Sequence, residues 1–96
     1  MSPHKRKKLS KIRSELDKLY NTLIKVIKKR KTLVNKVLAL KDKKNQIVDQ
    51  RRIKLILKNI KKKSIQNKID PKITNRIWKN MIWSYIDYEK RNFKKR

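Results

Sequence analysis

An arginine interrupts the longest apolar stripe in this 96-residue chain. Apolar side chains recur at Leu9, Ile12, Leu16, Leu19, Leu23, Val26, Leu33, Val37 and Leu40, and Arg30 stands where the stripe requires another between Val26 and Leu33. A guanidinium on a buried seam is costly unless an anion meets it, so this position suits the capture of an anionic group. Lys41 follows Arg30 and, at roughly 100° per residue, returns to nearly the same face of a helix. Arg13 is turned well away and lies about 25 Å along the axis from Arg30. Near the other end of the chain, Glu89 shares a face with Trp78, Ile82 and Tyr85. A carboxylate on an apolar face is a second exception of the same kind. Asp49 and Arg52 add an acid and a base, one turn apart, at the start of a further apolar pattern.

The elements that must carry these groups follow from periodicity. Steps of three and four from Leu9 to Lys41, with no Pro or Gly between, predict one long amphipathic helix. Asp42 to Val48 lacks periodicity and reads as a loop. Asp49 is a suitable N-cap for a second helix through Ile53, Ile56, Leu57 and Ile60, with Lys61, Lys62 and Lys63 near its C-terminal turn, where the dipole favours cations. Asp70-Pro71 marks the start of a third helix, Asp capping and Pro filling the first helical position. That helix carries Ile73, Ile77, Trp78, Met81, Ile82, Tyr85, Ile86, Tyr88 and Glu89, and Trp78 and Trp83 are expected in the core. Residues 1–8, with His4 and a basic run, read as a disordered tail; residues 9–90 form one helical domain; residues 91–96 form a second basic tail.

Composition limits what surrounds these helices. Only 36% of the residues are hydrophobic and 41% are charged, so a monomer would have a thin core. A helix of about thirty residues is about 45 Å long, more than so small a chain can cover alone. A partner subunit over the remaining stripe is therefore expected. Lys and Arg number 32 against 7 acids, a net charge of +25, which favours an anionic partner. The abundance of Lys, Ile and Asn, with no Gly and a single alanine at Ala39, also fits drift toward A/T-rich codons. A lysine run consequently carries less weight than an arginine on an apolar stripe. The absence of Cys excludes disulfides and thiol catalysis, and the absence of Gly excludes a phosphate-cradling glycine loop. No metal site is expected. No apolar run approaches the ~20 residues that span a bilayer, and no signal-peptide core follows the basic start, so a cytoplasmic location is expected.

In order and spacing, Ile12-Arg13 with Leu16-Asp17, then Leu23 through Arg30 to Lys41, Asp49 with Arg52, Ile69-Asp70-Pro71, and Trp78, Met81-Ile82, Tyr85-Ile86 and Glu89 resemble the all-helical chorismate mutase family. The resemblance covers roughly Ile12 to Lys90. It implies an all-α fold of three helices, with two chains intertwined through their long first helices as a homodimer. It also implies the Claisen rearrangement of chorismate to prephenate in phenylalanine and tyrosine biosynthesis, without a cofactor. By the same resemblance, Arg30 and the partner subunit's Arg13 hold the substrate carboxylates, and Arg52 adds to the basic wall. Asp49 lies near the ring hydroxyl, and Lys41 and Glu89 flank the ether oxygen.

The sequence departs from the family pattern at three of these places. Ile53 stands where a glutamate usually touches the substrate hydroxyl, Tyr85 where a serine is usual, and Glu89 in place of the common glutamine. The first two bear on catalytic efficiency and admit a relative acting on a neighbouring substrate, such as an isochorismate-type pyruvate lyase. A basic helical nucleic-acid-binding protein is the other reading of the charge; it predicts salt-steep binding but does not account for Arg30 and Glu89 on apolar stripes.

Overall fold

The computed structural model describes residues 1–94. Among them the regular elements are three α-helices and one 3-10 turn: α1 over Pro3–Ala39, the turn over Lys44–Gln46, α2 over Gln50–Gln66 and α3 over Pro71–Asn92. The chain divides into two compact units, Met1–Leu33 and a second beginning at Val34.

The first unit is the greater part of α1. It starts at Pro3, well before the Leu9 start that periodicity suggests, so the segment expected as a disordered tail is helical. The reason is local. Ser2 Oγ accepts from the Lys5 amide at 3.2 Å, and the Ser2 carbonyl accepts from the Arg6 amide at 2.9 Å. Pro3 follows at the first helical position, where a missing N–H costs nothing. The stripe of this unit is largely open: Ile12, Leu16, Leu19, Leu23, Val26 and Leu33 are between 41% and 59% exposed, and α1 has no buried residue.

The second unit gathers the last turns of α1 with the loop, α2 and α3. Its core is Ile47, Ile53, Ile82 and Ile86, with Leu38, Val48, Ile56, Leu57, Trp78 and Phe93 packed around it. Asp49 caps α2, its Oδ1 accepting from the Arg52 amide at 3.0 Å. Asp70 caps α3, its Oδ1 accepting from the Lys72 amide at 2.9 Å, with Pro71 next as expected. Between those helices Lys68 adopts φ 57°, the left-handed conformation that ends many helices but usually falls to Gly. The buried hydroxyls of Ser64 and Thr74 lie 2.7 Å apart and tie α2 to α3.

Trp83 is the exception to the expected core. It is 47% exposed, because five residues of helix turn it about 140° from Trp78. Phe93 packs against the core beyond the end of α3, although its segment reads as a tail. Lys95 and Arg96 lie outside the described residues.

Candidate active site

Lys41 is placed by the way α1 ends. The amides of Leu40 and Lys41 donate to the carbonyls of Val37 and Leu38 at 3.0 and 3.1 Å, a tightening of the last turn that satisfies carbonyls otherwise left open. Leu38 then packs on the core and anchors that turn. Beyond it, the Gln46 side chain accepts from the amides of Asp42 and Lys43 at 2.8 and 2.9 Å and folds the loop back. Ile47 is thereby buried, and its carbonyl accepts from Lys41 Nζ at 3.4 Å.

Glu89 comes to the same place from α3. It lies on the helix face of Ile82 and Ile86, which are buried, and is itself only 6% exposed. Its Oε1 stands 3.6 Å from Lys41 Nζ. The ammonium therefore has two oxygen neighbours, both farther away than the ~2.7–2.9 Å of a tight charge-assisted bond. A lysine carries three donors. Such an arrangement can present N–H to a third oxygen, while the carboxyl group beside it donates only when protonated.

The remaining charged candidates are placed differently. Asp49 and Arg52 are exposed at the start of α2 and border an open groove with Arg51, Lys54, Leu55 and Lys58. One Asp49 oxygen already caps the helix, which leaves acceptor capacity on the carboxylate. Ile53 is 9% exposed and belongs to the core cluster. Tyr85 is half-buried and meets Tyr88 edge to face, with centroids 6.1 Å apart. Arg13 and Arg30 belong to the first unit, where Arg13 is exposed and Arg30 half-buried. Two residues of the second unit escape a reading by periodicity: Tyr88 donates from its hydroxyl to Asn35 Oδ1 at 2.9 Å, and Gln46 folds the loop. Gln46 lies in the unpatterned loop, and Tyr88, although on the patterned face of α3, meets a partner 53 residues away in sequence.

Among the described residues no group of His, Cys, Asp or Glu could hold a metal ion, and no helix is long and apolar enough to cross a membrane. No curated protein and no solved structure matches the chain. A family model described as chorismate mutase type II matches residues 12–90, from the second apolar residue of the α1 stripe to the residue after Glu89. That span contains both Arg13 and Arg30 as well as the Lys41–Glu89 pair, and it lends the nucleic-acid reading of the charge no support. Covering most of the sequence, the match makes this chain a member of the chorismate mutase type II family, and so an isomerase.

Proposed function

We propose that the chain converts chorismate to prephenate at a site centred on Lys41 and Glu89, completed by Arg30, Asp49, Arg52, Ile53 and Tyr85 and by the partner subunit's Arg13. The observation that carries this reading is the buried Glu89 carboxyl 3.6 Å from Lys41 within the matched span. Chorismate as substrate follows from the family.

The reaction is intramolecular. One carbon–carbon bond forms as the ether carbon–oxygen bond breaks, so no oxidant, reductant or covalent intermediate is involved. The substrate is a flexible dianion that must be held in a compact conformer. Arg30 and the partner's Arg13 hold its two carboxylates, guanidinium being suited to bidentate contact. Arg52 adds positive potential at the rim, and Asp49 accepts from the ring hydroxyl. Ile53 and Tyr85 limit the volume left to the ring.

Negative charge grows on the ether oxygen as the bond breaks. Lys41 donates to that oxygen from a position held before the substrate arrives, and such donors stabilise the transition state more than the ground state. Glu89 flanks the same oxygen beside Lys41. The open apolar stripe of α1 supports a second copy of the chain as its cover, each copy lending Arg13 to the other. The strongly positive net charge steers the dianion inward, most strongly at low salt. Aromatic amino-acid biosynthesis in the cytoplasm is the setting we assign.

The test is direct. Purified protein is incubated with chorismate, and loss of chorismate is followed together with formation of prephenate. Conversion well above the uncatalysed rate, abolished by Lys41→Met, supports the reading. No conversion by a folded dimer refutes it.

A further inference from the structure

The Lys41 ammonium is loosely held by its own contacts, at 3.6 Å from Glu89 Oε1 and 3.4 Å from the Ile47 carbonyl. Its location consequently depends on where the end of α1 stands relative to α3. Across that gap Tyr88 Oη–H donates to Asn35 Oδ1 at 2.9 Å. Tyr88 immediately precedes Glu89 on α3, and Asn35 lies one turn before Leu38, whose carbonyl accepts from the Lys41 amide at 3.1 Å. The Tyr88 ring is steadied in turn by the edge-to-face contact with Tyr85, with an interplanar angle of 76°. The bond therefore joins the two segments that deliver the ammonium and the carboxyl, at a point adjacent to both.

We infer that the Tyr88–Asn35 hydrogen bond is a positioning contact, setting the separation of Lys41 and Glu89 for the rearrangement proposed above, on which this inference rests. Neither residue touches substrate. Leu38 on the core fixes the end of α1 against sliding away from α3, but an apolar contact is non-directional and leaves rotation about the helix axis weakly determined. A hydrogen bond with a preferred angle restrains that rotation. Because Lys41 follows directly from this turn, a small rotation of α1 displaces Nζ at the end of a long side chain. Small displacements of a catalytic group lower the rate of the chemical step far more than they lower substrate affinity.

The experiment uses the full-length protein and the variants Tyr88→Phe, Asn35→Leu, Asn35→Asp and the double variant Tyr88→Phe/Asn35→Leu. Phe keeps the ring and loses the donor; Leu keeps the bulk and loses the acceptor; Asp keeps an acceptor. Tyr88→Phe and Asn35→Leu are each expected to lower kcat roughly five-fold, the loss of about one neutral hydrogen bond, with KM changed less than two-fold. The double variant should lose no more than either single one, and Asn35→Asp should retain kcat within two-fold of wild type. A purely structural role would lower the melting temperature without this kcat-against-KM split. If wild type converts chorismate and both single losses leave kcat unchanged, or if KM rises in place of the fall in kcat, the positioning role is wrong. If wild type does not convert chorismate, the functional reading fails. Crystal structures then judge the contact alone: an unchanged Lys41 Nζ–Glu89 Oε1 separation in Tyr88→Phe overturns it, and a lengthened one upholds it.

Discussion

Replacing Lys41 with methionine separates what the ion pair does for catalysis from what it does for stability. Methionine approximates the length and volume of the lysine stem and removes the charge. At 3.6 Å the two unit charges attract by about 5 kcal/mol at an effective dielectric constant near 20, before either group's desolvation is counted. Desolvation cancels much of that attraction while both partners are present, so the intact pair contributes little net stability. Removing one partner is different, because Glu89 then remains buried with no cation beside it. Such a loss costs about 3–5 kcal/mol at a fully buried site. Here the Lys41 side chain is 18% exposed and the Glu89 side chain 8%, so water can approach the vacated place. The expected cost is therefore lower, about 2–3 kcal/mol. For a domain of this size that lowers the melting temperature by roughly 10–20 °C. The double variant Lys41→Met/Glu89→Gln carries no stranded charge and should recover at least half of the loss. Circular dichroism melts near pH 7, all at one chain concentration so that any association between copies contributes equally to each midpoint, measure both effects. Activity should be lost in the single and the double variant alike. A single variant that melts with wild type, or a double variant no more stable than the single, would refute the argument that Lys41 compensates a buried carboxylate.

Other outcomes follow from the same geometry. Glu89→Gln places an amide donor beside the ether oxygen without introducing a charge, and should keep or raise kcat/KM near neutrality; a Glu89→Gln enzyme that loses activity removes Glu89 from that role. Arg13→Ala and Arg30→Ala should each be nearly inactive as homodimers, and mixing them should restore one intact site per heterodimer. Light scattering at micromolar concentration should give twice the 11.8 kDa chain mass, and a folded, active monomer would contradict the shared site. Lys68→Gly relieves a left-handed backbone at a surface turn and should stabilise the chain by about 0.5–1 kcal/mol in a denaturant titration, with activity unchanged.

Features that depend on neighbours a few residues apart were legible before any fold was known. Amphipathic steps marked the three helices, and Asp49 and Asp70-Pro71 marked two of their starts, because a cap is a bond between residues two or three apart. Ser2-Pro3 is a signal of the same kind, and it outweighed the lack of an apolar stripe before Leu9. The singularity of Arg30 and Glu89 was also legible, since a charge on an apolar face contradicts its own pattern. Tertiary structure decided the rest. Glu89 and Lys41 are brought within 3.6 Å by the packing of Leu38, Ile47, Ile53, Ile82 and Ile86, and no local preference encodes that distance. The Tyr88–Asn35 bond has the same origin. Trp83 shows the limit from the other side: its apolar character suits a core, but the face of α3 that meets α2 was already taken by Trp78, Ile82 and Ile86, and helix geometry turned Trp83 toward solvent.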